Sequence, residues 1–150
     1  MDFLMDQHRL FTSKKYENVY FLFKEKYDIS YDELFILCAA IGFKNNKRTT
    51  IGEKGREFRT NYFKRDSKAT AYSIILNDPE LGKQIEKFED KEFAREARAA
   101  LEEYAEAGME ILIENLFVRK WDGNKLDDSY DEYIVDIVSY VYGLSIELPF

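Results

Sequence analysis

The strongest constraint on the fold is an unbroken apolar run over residues 34–41, LFILCAAI, that follows a helix-capping signature. Ser30 and Glu33 have the spacing of a capping box, in which both side chains satisfy backbone groups of the first helical turn. A helix that is apolar on every side is buried inside a protein. A buried strand would show a similar run, but the capping residues favour a helix. Gly42 is placed to end this helix in the left-handed conformation.

The rest of the chain also has mainly helical patterns. Helices are predicted over about residues 14–26, 67–76, 90–118 and 128–142, and Asp78-Pro79 has the pattern that begins another. Gly108 interrupts the longest helix, and we expect a close helix crossing there. The predicted fold class is therefore all-α. Residues 1–150 would form a single helical domain, a compact bundle of about five to six helices around a buried central helix (residues ~31–41), with one irregular basic segment (~44–66).

The ends of the chain and its single cysteine bear on the compartment. Cys38 has no partner for an intrachain disulfide, so nothing requires an oxidising compartment. The N-terminal residues 1–11 include two acids and no long apolar run, unlike a signal peptide. No stretch approaches the roughly 20 apolar residues of a membrane span. We expect a cytoplasmic protein without a membrane partner, whose apolar tail (144–150) docks on the body or on a partner.

The net charge of −7 conceals an uneven distribution. Residues 44–68 contain nine Lys or Arg and three Asp or Glu, a local charge of +6, whereas residues 69–150 sum to −11. The mean charge argues against a generic nucleic-acid binder, but binding responds to a local patch. These basic side chains are solvated, paired with the acidic helices, or available to DNA phosphates or an acidic protein. The candidate binding residues are Lys44, Lys47, Arg48, Lys54, Arg56, Arg59, Lys64, Arg65 and Lys68.

Catalytic chemistry has little support in the sequence. One His and one Cys, His8 and Cys38, exclude the usual zinc site. We expect Cys38 to be a core thiol and His8 to lie in an exposed tail. Asp78 with residues 89–91, EDK, loosely resembles the acidic pattern of magnesium-dependent nucleases, but helix ends are where acids serve as caps. We therefore expect no catalytic residue, no metal and no cofactor, and a protein that is not an enzyme.

Two blocks of sequence resemble one small bacterial family. Residues 31–48, YDELFILCAAIGFKNNKR, contain a tyrosine, an acidic residue, an apolar helix ending in Ala-Ala-x-Gly-Phe and a basic turn. Residues 101–112, LEEYAEAGMEIL, contain Glu-Tyr-Ala, a glycine and Glu-Ile-Leu. Both are similar to the Dnd system-associated protein 4 family, whose members are encoded beside DNA phosphorothioation genes. The blocks are structural in character, and the resemblance supplies no catalytic motif.

The resemblance implies an accessory role. Our leading hypothesis is a non-enzymatic accessory protein of a DNA phosphorothioation-linked restriction-modification or antiviral (phage-defence) system. Its partners would be other proteins of that gene cluster, and DNA contacted through residues 44–68. The alternative is a DNA-binding regulator that acts as a homodimer and contacts DNA through the same basic segment. A metal-dependent nuclease is the third hypothesis.

Overall fold

The computed structural model describes residues 3–5 and 8–146. The described chain is mostly helical, as predicted, but it also contains a two-stranded antiparallel sheet, so the all-α prediction is wrong on this point. The elements are β1 (Arg9–Ser13), α1 (Glu17–Tyr27), α2 (Tyr31–Lys44), β2 (Lys54–Arg59), α3 (Arg65–Leu76), α4 (Lys91–Ile111) and α5 (Tyr133–Ile146).

Helix α2 is the buried central helix that the sequence predicts. Its capping box is formed, since the Ser30 side chain accepts from the Glu33 amide and the Ser30 amide donates to Glu33 Oε1 at 3.0 Å. The Ser30 hydroxyl also donates to Glu33 Oε1 at 2.7 Å. Phe35 and Cys38 are fully buried on its inner side. The predicted end of the helix is wrong, because α2 continues through Gly42 to Lys44. Asn46, with a φ of 52°, takes the left-handed conformation instead.

Two glycines let α2 and α4 cross at backbone contact. A Cβ atom on Gly108 would lie 1.7 Å from the carbonyl oxygen of Cys38, and one on Gly42 would lie 2.1 Å from that of Tyr104. These approaches leave no room for a side chain on either helix. The close helix crossing predicted at Gly108 is confirmed. Gly42 is the residue of α2 that makes the same close approach to α4.

One of the two strands, β2, lies in the segment predicted to be irregular, and its partner β1 lies near the N-terminus. β1 pairs with β2 in antiparallel register, with Leu10 opposite Phe58. Both side chains are buried, and the Phe58 ring packs against Phe35 of α2 with centroids 5.0 Å apart. The sheet therefore packs against α2 through Phe58, and β1 also contacts α4, because the Phe11 amide donates to Glu102 at 2.8 Å.

Helix α4 begins where predicted, because the Asp90 side chain accepts a hydrogen bond from the Glu92 amide and caps it. After Ile111 it widens into one π-helical turn, Leu112–Leu116. Residues Leu81–Lys87 form short 3-10 turns with a kink at Gln84, not the α-helix expected after Asp78.

Helix α5 begins at Tyr133, later than the predicted residue 128, because residues 127–129 form a turn in which Asp127 accepts from the Ser129 amide. Residues 144–146 belong to α5. The rest of the predicted apolar tail, 147–150, lies outside the described residues. Among residues 3–5 and 8–146, no helix is both long and apolar enough to cross a membrane.

Candidate functional site

The first part of the basic segment is fastened to the acidic helix α4. Arg48 Nε donates to Glu103 Oε1 at 2.9 Å, and Lys47 Nζ lies 3.5 Å from Glu110 Oε1. Thr49 lies between them, with its hydroxyl donating to Glu110 at 2.6 Å and its amide donating to the Glu103 carbonyl at 3.0 Å. Lys47 and Arg48 therefore have carboxylate partners on α4.

Asp78 is the buried end of the same ion-pair network. Its carboxylate accepts hydrogen bonds from the Tyr104 hydroxyl at 2.5 Å and from the amides of Leu81 and Glu80 at 2.9 and 3.0 Å. The Arg48 guanidinium lies 3.4 Å away. Burial acts to raise the pKa of Asp78, but the hydrogen bonds from Leu81, Tyr104 and Glu80 and the Arg48 charge outweigh it and lower the pKa. Asp78 thus joins three parts of the fold.

The other residues considered for catalysis also lie where their contacts or their burial support the fold. Asp90 caps α4, and its carboxylate is directed to the Glu92 amide at 2.8 Å. Cys38 is fully buried, and burial raises the pKa of its thiol well above the usual range. His8 is half-buried rather than in an exposed tail, and its carbonyl accepts from the Thr60 amide at 2.7 Å. The described residues contain no group of three or more His, Cys, Asp or Glu that could hold a metal.

The remaining candidates lie on other elements, although the charge of Lys54 acts to lower the pKa of Glu102 on α4. Lys44 is exposed in the last turn of α2. The other six lie on β2 and at the start of α3. We call these six residues the basic surface: Lys54, Arg56, Arg59, Lys64, Arg65 and Lys68.

Two side chains of the basic surface rest on aromatic rings. Lys54 Nζ lies 4.3 Å from the centroid of the Phe11 ring, and the Arg56 guanidinium carbon lies 4.5 Å from that of Tyr31. Lys64 Nζ is 4.0 Å from Glu33 Oε2, the limit of an ion pair. Within the described part of the chain, Arg65 and Lys68 have no ion-pair partner. The charges of Arg56, Arg65 and Lys68 are consequently less neutralised than those of Lys47 and Arg48.

A groove of about 320 Å³ opens between β2, the end of α1 and the start of α2. It brings together two predicted binding residues, Arg56 and Arg59, with Tyr62, whose exposed fraction is 63%. We call it the basic groove, and its lining residues are Lys24, Ser30, Tyr31, Asp32, Arg56, Glu57, Phe58, Arg59 and Tyr62.

Sequence reasoning missed a second groove, of about 510 Å³, which is lined only by apolar and aromatic residues. Val138 and Tyr142 of α5 line it and are 60% and 66% exposed. The signal was present, because α5 is apolar over more than one face, whereas one apolar stripe suffices to pack on a core. We call it the apolar groove, and it is lined by Phe23, Ile29, Leu34, Leu37, Ile134, Ile137, Val138, Val141 and Tyr142.

The family model described as DNA sulphur modification system-associated protein 4 matches residues 22–128. This match runs from the middle of α1 through α4 and includes both sequence blocks and the whole basic surface. The family resemblance noted in those blocks is confirmed. No curated protein and no solved structure matches the chain.

Proposed function

We propose that this chain, which belongs to the DNA sulphur modification system-associated protein 4 family, is a non-enzymatic, cytoplasmic accessory protein that contacts DNA through its basic surface. In this proposal it works with other proteins of a phosphorothioation-linked modification, restriction or phage-defence system. The family places the chain in a DNA sulphur modification setting. The choice of DNA as the ligand rests on the chain's own charges.

The observation that carries the proposal is the division of the basic segment. Lys47 and Arg48 form ion pairs with Glu110 and Glu103 of α4. The basic surface lies on β2 and the start of α3, where Lys54 and Arg56 rest on aromatic rings and Lys64 lies at the limit of an ion pair with Glu33. Lysine and arginine side chains that are not neutralised within the protein can replace the counterions of a phosphate backbone. A duplex or a single strand could therefore contact this surface without breaking the network around Asp78.

A binding role rather than a catalytic one is supported by the surroundings of the reactive groups. Asp78 has four hydrogen-bonding or charged partners, and Asp90 caps a helix. A buried thiol with a raised pKa, as at Cys38, is a poor nucleophile because little thiolate is present.

The test of DNA contact is fluorescence anisotropy with a labelled duplex at low salt. The variant Arg56→Gln/Arg59→Gln/Lys64→Gln should bind roughly tenfold more weakly or worse, and with a shallower dependence on salt, because fewer counterions are released. The matched control, Lys83→Gln/Lys87→Gln/Lys91→Gln, removes the same charge from exposed positions elsewhere and should bind like the wild type. Equal loss in both variants would show that only net charge matters, and a wild type that binds neither this duplex nor a single strand would refute the proposal.

A second candidate function, docking of a partner protein, is favoured by the apolar groove. Exposed apolar patches of this kind mark protein interaction sites in soluble proteins. Co-expression with the products of neighbouring genes, followed by affinity purification, should recover a partner that Val138→Glu/Tyr142→Glu loses. The control Ile85→Glu/Val118→Glu changes two other exposed apolar residues and should keep the partner.

Light scattering of the purified protein tests the homodimer alternative at the same groove. A dimer that the Val138→Glu/Tyr142→Glu variant dissociates would assign the apolar groove to a second copy of the chain. A monomeric wild type that also recovers no partner would refute the docking role.

A further inference from the structure

The basic groove has an exposed aromatic ring that contact with duplex phosphates does not use. Tyr62 lies in the 3-10 turn that follows β2, and 63% of its surface is exposed. It lies on the groove wall beside Arg59. An exposed ring next to arginines is a typical surface for stacking an unpaired base, since every base presents a π-face.

The position of Arg56 in the groove is set by a series of aromatic contacts that begins in the protein core. Tyr20 is buried and stacks on Tyr31 with centroids 5.7 Å apart and an interplanar angle of 18°. The Arg56 guanidinium carbon in turn lies 4.5 Å from the centroid of the Tyr31 ring. This series of contacts positions the Arg56 charge in the groove before any ligand arrives, which lowers the entropy cost of binding.

The charges of the groove favour an anion. Arg56 and Arg59 are its arginines, and Lys24 at its edge is 3.3 Å from Asp28. Of its two carboxylates, Glu57 lies 3.5 Å from Arg9, a partner outside the groove lining, and Asp32 is 7% exposed. The two arginines are thus the main charges that a ligand in the groove would meet.

The size and shape of the groove select among nucleic acids. Its volume of about 320 Å³ is at the lower end of small-ligand sites, so a base with its sugar and phosphate is of the right order and a double helix cannot enter. In a duplex the faces of the bases are already stacked on their neighbours. Tyr62 could therefore stack only on a base that is unpaired.

We infer that the basic groove binds one unpaired nucleotide of a DNA strand, with its base stacked on Tyr62 and its flanking phosphates held by Arg56 and Arg59. This inference rests on the proposed DNA contact and adds the form of DNA that the site recognises. The basic surface beyond the groove would follow the backbone of the same strand.

Fluorescence anisotropy with three labelled probes tests the inference: an oligothymidine of about twelve nucleotides, within the usual range for single-strand sites, a duplex of equal length, and an oligomer of the same length with abasic sugars. The wild type should bind the oligothymidine more tightly than the other two. Tyr62→Ala should weaken oligothymidine binding by about 5- to 150-fold, the equivalent of one base–aromatic stack, and leave duplex binding unchanged. Tyr62→Phe should restore it.

The matched control is Tyr142→Ala, which removes a tyrosine of similar exposure from the apolar groove and should leave all three affinities unchanged. If the oligothymidine binds no more tightly than the abasic oligomer, or if Tyr62→Ala has no effect on it, the unpaired-base inference is overturned while duplex contact still stands. If none of the probes binds, the proposed DNA contact fails as well.

Discussion

Replacing Gly108 with alanine tests whether the α2–α4 crossing holds the fold together. The added Cβ atom would lie 1.7 Å from the Cys38 carbonyl oxygen, whereas ordinary contact begins at 3.4 Å. The helices would have to separate locally by roughly half of that ordinary distance. Neither helix can yield by moving a side chain, because the atom in contact is backbone.

The expected magnitude is a difference between two effects. Alanine is favoured over glycine inside a helix by about 1 kcal/mol. Overpacking a well-packed interior costs typically 1–3 kcal/mol, occasionally more, and a backbone clash of this depth belongs at or beyond the upper end. Gly108→Ala should therefore lower the free energy of unfolding by about 2 kcal/mol or more. For a chain of this length, that corresponds to a fall in Tm of about 4–8 °C.

Urea unfolding followed by circular dichroism and Trp121 fluorescence measures this change. Gly143→Ala is the matched control, because an added Cβ there meets nothing within 4 Å. It should leave stability unchanged or raise it by up to about 1 kcal/mol. A Gly108→Ala protein as stable as the Gly143→Ala protein would refute the argument that backbone contact at the crossing requires glycine.

Three further predictions concern buried groups. Asp78→Asn should lower the free energy of unfolding by about 1–3 kcal/mol at neutral pH. Because the pKa of Asp78 is lowered in the fold, the stabilisation from its carboxylate is present above the ordinary pKa of 3.8 and disappears as pH falls through the folded pKa. The urea midpoints of the variant and the wild type should therefore converge in acid. Burial raises the pKa of Glu106, so the folded state loses stability as pH rises through that pKa. Glu106→Gln should therefore raise the urea midpoint at neutral pH but not below about pH 4.5. Cys38 should react with a thiol reagent only after unfolding, and rapid reaction of the native protein would contradict its burial.

The capped helices were predictable because their signals are local. The capping box at Ser30 and the Asp90 cap each need only neighbouring residues, and both are formed as expected. Asp78 also caps the amides that follow it, although a kinked 3-10 segment replaces the predicted α-helix. Capping residues therefore predicted where an element begins more reliably than its type or its length.

The sheet was missed because its pairing is not local. β1 and β2 are joined across more than forty residues, and β2, KGREFR, is charged with a single buried apolar residue, Phe58. Gly42 was misassigned for a similar reason, since a glycine near a helix end suits a cap and only the position of Tyr104 shows the crossing.

The candidate site was predictable in composition but not in arrangement. The sequence identified the basic residues as a group, and only the fold divides Arg48, held by Glu103, from Arg56, which rests on Tyr31. Charge counting cannot separate these cases, because the acidic partners come from a helix more than fifty residues later in the chain.

The attachment of residues 47–49 to α4 has a consequence for hydrogen exchange. The Lys47 amide donates to the Gly42 carbonyl at 2.9 Å, and the Thr49 amide donates to the Glu103 carbonyl at 3.0 Å. Loop amides ordinarily exchange with solvent through small local openings, whereas protected core amides wait for a larger unit to open. The Thr49 proton is released only when its segment separates from α4. We therefore expect the Thr49 amide to exchange more slowly than an ordinary loop amide, at the rate at which its segment separates from α4.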